Sequence, residues 1–217
     1  MMKKMMISPV SFILSFLLII FFSSHAAAQD FWPSDYSAPQ GPAGYSSKKS
    51  GNITVDDFVF SGLGVAGNTS NVFKAAVTPA FVQQFPGVNG LGVSLVRADI
   101  APGGVIPLHA HPRATEIILL VEGTVVAGFI STANDPYIKT LKKGDIMVFP
   151  KGLLHFIVNS APSNALIFAS FSSDNPGAQI LDNALFAKNF PSELIAASTL
   201  LDVAEVKRLK GVFGGSG

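Results

Sequence analysis

The sequence predicts an all-β domain, either a barrel or a sandwich of short strands, and two observations support that class. Short apolar runs separated by Gly, Pro, Asn and Asp recur from Val55 onward, a spacing typical of such folds. A helical period of three and four residues appears only after Gln179. With 217 residues, the chain is long enough for one such domain with a substantial core.

Composition limits the classes of function. The sequence is 48% hydrophobic and only 13% charged, which predicts apolar surface that is buried between the subunits of an oligomer. A formal net charge of +1, without a run of Lys and Arg, gives no indication of nucleic-acid binding. The chain contains no cysteine, which excludes disulfides, thiolate metal ligands and cysteine nucleophiles.

Residues 1–28 have the three parts of a secretory signal peptide. Two lysines precede an apolar run over residues 11–22, and a series of alanines ends at Ala28. The apolar run is shorter than a membrane span requires. We therefore expect cleavage near Ala28, loss of His25 with the peptide, and a secreted protein without a membrane segment.

The remaining chain divides into three expected parts. Residues 29–55, rich in Pro, Gly and Ser, are expected to form an extended N-terminal arm. Residues 56–175 are expected to form the barrel. Its candidate strands are residues 58–63, 73–77, 93–100, 117–121, 124–130, 146–149, 156–158 and 165–171.

Residues 176–217 are expected to form a helical extension, because apolar residues recur there at three- and four-residue spacings. Ser192 after a proline and Asp202 are typical helix starts. We expect two or three short helices, which are candidates for subunit contacts. The charged residues of this region, including Lys207 and Lys210, are expected to form a solvated helix face.

The histidines of the mature chain are confined to two stretches, residues 103–123 and 144–159. His109 and His111 are two positions apart, so on an extended strand both imidazoles project from the same face. This placement makes them candidates for a shared ligand.

Glu116 follows His111 by five residues, and His155 lies in the second stretch beside its own glycine turn. Three imidazoles and a carboxylate suit a divalent first-row transition metal and leave coordination positions for water or substrate. Without a cation, Glu116 in apolar surroundings would be a buried and unpaired charge. The residue types therefore predict a metal site.

The spacing within the two stretches resembles both motifs of the cupin superfamily. The matching positions are Gly103, His109, His111, Glu116 and Gly123 in the first motif, and Gly144, Pro150, Gly152, His155 and Asn159 in the second. The segment HPRATE within the first motif resembles the germin box of plant germin-like proteins. The likeness extends over essentially the whole mature chain and is closest to the subgroup described as auxin-binding proteins.

This resemblance implies a cupin jelly-roll (double-stranded β-helix) barrel with short C-terminal helices, joined in dimers that assemble into a hexamer. It also implies a secreted glycoprotein of the apoplast or cell wall. The implied cofactor is manganese (Mn²⁺), held by His109, His111, Glu116 and His155. Two glycosylation sequons begin at Asn52 and Asn68, and the turn at Gly67 makes Asn68 the better candidate.

The chain departs from the family pattern at two pairs of positions. Trp32 and Ser47 stand where family members carry the cysteines of a disulfide, so we expect an arm that is held by burial of Trp32 or is looser. Val96 and Ile106 stand where oxalate-oxidising germins carry two asparagines. Two aliphatic side chains offer no donor to a dianion, which argues against oxalate oxidase activity.

Three functions remain open. One is manganese superoxide dismutase activity beside an apolar pocket predicted to be lined by Val96, Ile106 and Phe156. The second is binding of auxin or another small aromatic acid. The third is a wall-associated structural glycoprotein without catalysis. The tripeptide Lys143-Gly144-Asp145, which resembles an adhesion motif of the family, is interpreted as a turn that leads into the second cupin motif.

Overall fold

The computed structural model describes residues 30–217, so the predicted signal peptide lies outside the described residues. Within this part of the chain, two five-stranded antiparallel sheets have the orders β1-β2-β9-β4-β7 and β10-β3-β8-β5-β6. The strands are β1 Ala75–Ala80, β2 Ser94–Ile100, β3 Val105–Ala110, β4 Glu116–Glu122, β5 Thr124–Ile130, β6 Pro136–Lys142, β7 Ile146–Phe149, β8 His155–Val158, β9 Ala165–Phe171 and β10 Gln179–Ile180. This architecture confirms the predicted all-β jelly roll.

The alternation of buried and exposed side chains along the strands explains how the two sheets pack. In β2 and β9, every second side chain is buried and the intervening ones are partly or fully exposed. The same period gives β4 a buried inner row, in which Ile118 and Leu120 are completely inaccessible to solvent. Inner rows from both sheets, including Val125 of β5 and Ile167 of β9, form one hydrophobic core. The metal-ligand candidates lie at one end of this core.

The predicted strand at residues 58–63 is wrong. Two 3-10 turns, Val55–Phe58 and Gly62–Gly64, occupy this region instead. Its aromatic side chains pack against loop residues: Phe58 against the ring of Phe31, and Phe60 against that of Phe85. Residues 58–63 therefore have the apolar composition of a strand, but their rings pack against loops. In the part of the chain that the structure describes, they pair with no strand that could complete a ladder of backbone hydrogen bonds.

Strand β6 was not predicted, because its sequence PYIKTLK carries no continuous apolar run and nearly all of its residues are exposed. Among the described strands it pairs with β5 alone and forms the edge of its sheet. An edge strand in which Leu141 alone is buried leaves little hydrophobic signal. The short strand β10 was missed for a related reason, since two residues are too few to show a period.

The N-terminal arm is held by hydrogen bonds and not by burial of Trp32, whose side chain is 40% exposed. Of the two expected alternatives, burial of Trp32 and a looser arm, the first is therefore excluded. Ser34 N–H donates to the carbonyl of Pro86 (3.0 Å), and the Tyr36 hydroxyl donates to the carbonyl of Val82 (2.7 Å). These contacts join the arm to the loops beside the barrel without the disulfide of the family pattern.

Three helices follow the barrel, in agreement with the prediction of two or three: α1 Leu181–Phe186, α2 Ser192–Thr199 and α3 Val203–Phe213. Asp202 caps α3 as predicted, since its side chain accepts a hydrogen bond from Ala204 N–H (2.7 Å). A small second core forms among the helices from Phe186, Ile195 and Val206. None of the helices in residues 30–217 is long and apolar enough to cross a membrane.

Lys210 of α3 does not belong to a solvated helix face, contrary to the prediction. Its side chain is 3% exposed, and its ammonium group donates to three backbone carbonyls, those of Phe190, Ser216 and Gly217. Lys210 lies one turn after the buried Val206, on the same face of α3. The loop before α2 and the glycine-rich tail cover this face, so the lysine is buried.

Candidate metal centre

The four predicted ligands, His109, His111, Glu116 and His155, converge at one end of the barrel. One candidate ligand atom from each lies within 4.8 Å of those of the others. All four residues are buried, with exposed fractions between 1% and 7%. We refer to them as the four-residue cluster.

Both sheets contribute to the four-residue cluster. His109 of β3 is the direct antiparallel partner of His155 of β8, and their ring centroids are 4.1 Å apart. Glu116 begins β4 in the opposite sheet. His111 lies just beyond the end of β3, on the connection between the two sheets. The packing of one sheet on the other therefore assembles the cluster from residues up to 46 positions apart.

A β-bulge in β3 determines which side chains share a face with the ligands. Ile106 pairs with Ile157 and His109 pairs with His155, so three steps on β3 correspond to two steps on β8. Simple alternation would place Ile106 and His109 on opposite faces. The bulge cancels this difference and places Ile106 in the same cavity as His109 and His111.

Each imidazole is oriented by a backbone carbonyl. The Nδ1 atom of His109 lies 2.8 Å from the oxygen of Pro107, and that of His155 lies 2.8 Å from the oxygen of Leu153. The Nδ1 atom of His111 contacts the oxygen of Gly177. A carbonyl only accepts, so each Nδ1 carries the proton and each Nε2 presents its lone pair to the centre of the cluster.

Glu116 faces two of these lone pairs. Its Oε2 atom lies 3.0 Å from Nε2 of His155 and 3.2 Å from Nε2 of His111. Burial by itself would raise the pKa of Glu116. The imidazoles of His111 and His155 lower it to about 2 when a second proton on Nε2 lets them donate to the carboxylate, which is therefore ionised at neutral pH. Burial lowers the pKa of His109 to about 4, so this imidazole is neutral.

The electrostatics of the four-residue cluster therefore require a positive charge at its centre. With the Nδ1 protons committed to carbonyls, acceptor atoms of His111, His155 and Glu116 face one another unless a proton or a cation lies between them. Three neutral imidazole nitrogens and one carboxylate oxygen form a donor set that fits a divalent transition metal. The residues present thus fit the metal that the sequence implies.

An apolar cavity of about 230 Å³ opens beside the four-residue cluster. Val96 and Ile106 line it, as do Ile157 of β8 and Phe171 of β9. Every lining side chain outside the cluster is apolar. A molecule in this cavity therefore meets hydrocarbon on most sides and hydrogen-bonding or metal-binding groups only at the cluster.

The prediction that Phe156 lines this cavity is wrong. Phe156 follows His155 on β8, and alternation directs it to the opposite face of the sheet. There it lines a separate surface groove together with Leu108 and Ile138. Ile157, the next residue, takes the predicted place in the cavity.

Other predicted positions lie at the surface. Asn52 and Asn68, the first residues of the two sequons, are both exposed, and Asn68 is in a loop. Lys143 to Asp145 form a turn, in which the carboxylate of Asp145 accepts from Lys142 N–H (2.8 Å), and the chain then enters β7. The interpretation of this tripeptide as a turn agrees with the structure.

Several contributors to the site were not found from the sequence. Phe149 stacks on the ring of His155 at a centroid distance of 4.5 Å, and Phe171 packs edge-on against His111. The period of β8 was sufficient to identify Ile157. The carbonyl of Gly177, 66 positions from His111, had no local signal.

A jelly-roll barrel that holds three histidines and a glutamate at one end defines a cupin with a candidate metal centre. Comparison with protein families agrees, because residues 61–207 match the family described as Cupin. Among solved structures, an oxalate oxidase superposes with a TM-score of 0.83 at 34% identity, covering 86% of this chain and 96% of the other.

Sequence comparison narrows this class. A protein of Prunus persica named auxin-binding protein ABP19a is 62% identical over 97% of this chain and 100% of its own length. A germin-like protein of Morus alba is 60% identical over 98% of this chain and 100% of its own length. The chain belongs to the cupin family and, within it, to the germin-like proteins, which confirms the resemblance seen in its motifs.

Proposed function

We propose that this chain is a secreted manganese-binding germin-like protein, and that its four-residue cluster holds the ion for the dismutation of superoxide. The observation that supports this proposal most directly is the convergence of three oriented Nε2 lone pairs and an ionised carboxylate within 4.8 Å. Water does not solvate these buried acceptor atoms well, and they repel one another. A bound divalent cation would offset this repulsion.

Bound manganese would supply a Mn²⁺/Mn³⁺ couple, by which one superoxide is oxidised to dioxygen and a second, with two protons, is reduced to hydrogen peroxide. The protein's own contribution is geometric and electrostatic. The carbonyls of Pro107, Leu153 and Gly177 fix the three imidazoles, and Glu116 would supply one negative charge as a ligand. The wall is apolar, so outside the four-residue cluster it offers no hydrogen-bond partner to larger polar molecules, whereas a small diatomic anion needs only the cluster itself.

A second candidate function is binding of a small aromatic acid of the auxin type. The apolar lining and the volume of about 230 Å³ favour a compact hydrophobic body whose carboxylate would reach the four-residue cluster. Relatives from Prunus persica at 59–62% identity carry the name auxin-binding protein. A structural glycoprotein without turnover is the outcome if neither activity is found.

Oxidation of oxalate is not proposed, although an oxalate oxidase shares the fold. Oxalate carries two carboxylates, and a site built for it needs donors beyond the metal. Val96 and Ile106, the two positions at which the family resemblance places asparagines, are aliphatic and line the cavity here.

Secretion, glycosylation and assembly complete the proposal. The predicted signal peptide and the exposed sequons at Asn52 and Asn68 support an apoplastic or wall-associated glycoprotein. Neighbouring outward side chains on β4 and β7, such as Ile117 (48% exposed) and Ile146 (68% exposed), form an apolar sheet face. Such a face supports burial against further copies in dimers and a hexamer.

The test is metal analysis of the purified secreted protein combined with a superoxide-dismutation assay on wild type and His109→Ala. We expect about one manganese per chain and activity that is lost in the variant. Manganese without dismutation would redirect the test to calorimetric titration with auxin. Absence of bound metal from wild type would contradict the proposal.

A further inference from the structure

We propose that Arg113 is a positioning residue for the metal centre, which acts on His111 through the loop at Asn175–Gly177. This inference depends on the proposed metal binding of the four-residue cluster. Arg113 belongs to the HPRATE segment, but it does not point into the cavity and is not among the residues that line it.

The guanidinium of Arg113 holds one residue of the loop at two points. Its Nε–H donates to the backbone carbonyl of Asn175 (2.7 Å), and its Nη2–H donates to the side-chain oxygen of the same residue (2.9 Å). A planar guanidinium with two parallel bonds fixes direction as well as distance, which a flexible ammonium does not.

The same guanidinium lies directly against Gly177. A Cβ atom added at this glycine would lie 2.9 Å from Nη2 and 3.1 Å from Cζ of Arg113, and the backbone has a φ of +65° that disfavours other residues. The glycine thus permits both the left-handed turn and the close approach of the arginine. The carbonyl of Gly177, set by this turn, accepts the Nδ1 proton of His111.

The connection matters because His111 differs from the other two histidines. His109 and His155 are each oriented by a carbonyl two positions earlier on their own segment, so local geometry holds them. His111 depends on a carbonyl from the segment between β9 and β10, 66 positions away. Arg113, only two residues after His111, ties that distant segment to the histidine.

The first test uses the metal-free protein and so does not depend on the proposed function. In wild type, we expect three imidazole Nδ1–H resonances protected from exchange with water, as seen by proton–nitrogen NMR. In Arg113→Met and in Asn175→Ala, the resonance of His111 should be lost or broadened, while those of His109 and His155 remain. The two unaffected histidines are internal controls, and Asn175→Ala covers the case in which the arginine variant does not fold.

The second test measures manganese binding. Because outer-sphere partners orient a ligand, we expect either substitution to weaken manganese affinity by roughly 10- to 100-fold and to alter the EPR spectrum of the bound ion. Arg208→Met is a matched control, since Arg208 is an exposed arginine paired with Glu205 on α3. If both variants keep all three resonances and the affinity of wild type, the positioning role is wrong. If wild type binds no manganese, the proposed function fails, and the resonances alone decide this inference.

Discussion

The four-residue cluster and the surroundings of Lys210 are both buried and polar, yet they differ in how their hydrogen-bonding groups are matched. The ammonium of Lys210 meets three carbonyl oxygens, so donors and acceptors are complementary. In the four-residue cluster, Nε2 of His155 and Oε2 of Glu116 are 3.0 Å apart, and both are acceptors when the Nδ1 proton is held by Leu153.

This difference separates structural from functional polar groups. A buried set that completes its own hydrogen bonds stabilises the fold and needs nothing further. A buried set of converging acceptors lowers stability until a cation binds, and it is therefore a candidate for a binding site. Opposite responses to mutation are expected at the two places.

The largest expected effect is that of Glu116→Gln on metal affinity. The substitution preserves shape but removes the negative charge, so manganese binding should weaken by more than the roughly 10- to 100-fold typical of outer-sphere changes. In the metal-free protein, the new amide can donate to Nε2 of His155, so the free energy of unfolding should be unchanged or higher. Calorimetric titration and denaturation in chelator measure the two quantities.

Glu122→Gln, at the exposed far end of β4, is the matched control for this variant. Two results would contradict the contrast between the four-residue cluster and the surroundings of Lys210. One is a manganese affinity of Glu116→Gln equal to that of wild type, and the other is a large loss of stability in the metal-free variant.

The second effect is the pH dependence of stability in the metal-free protein. The pKa of His109 falls from 6.5 to about 4 on folding, so the unfolded chain binds its proton first as the pH decreases. Stability should therefore fall between pH 6.5 and 4, by about 3 kcal/mol from this group. Glu116, with a pKa lowered to about 2, contributes a further loss only below about pH 4.5.

Denaturant unfolding of wild type and His109→Gln across this range measures the effect. The wild-type curve should have the steeper slope between pH 4 and 6.5. If the free energy of unfolding depends on pH in the same way in both proteins, burial of His109 does not disfavour its protonated form as predicted.

The smallest of the three effects is that of Lys210→Met on stability. Loss of the ammonium leaves the carbonyls of Phe190 and Ser216 without a donor, while that of Gly217 keeps the hydrogen bond from the Ser192 hydroxyl. We expect a cost of about 2 kcal/mol in the free energy of unfolding. Manganese affinity should not change, since Lys210 lies among the helices and not at the four-residue cluster. Lys207→Met, on the exposed side of the same helix, is the control and should have little effect. A loss of manganese affinity in Lys210→Met would mean that the surroundings of Lys210 and the four-residue cluster are not independent.

Much of the fold was predictable because strands that bury one face carry an alternating pattern. Strands β2, β4 and β9 were found for this reason, whereas the exposed edge strand β6 has no such pattern and was missed. At residues 58–63 the opposite error occurred: a strand was predicted where none exists. The aromatic residues there pack on loops and give the segment the apolar composition of a strand.

By itself, the sequence determined the family, the all-β class and the identity of the four candidate ligands, because ligand types and spacing are local properties of two motifs. Only the tertiary structure decided which neighbours those ligands have. Ile106 enters the cavity because a bulge shifts the register of β3, Phe156 is excluded by the alternation of β8, and Lys210 is buried by the return of the tail. The carbonyl of Gly177 reaches His111 across 66 positions, a contact set by how the two sheets close on each other.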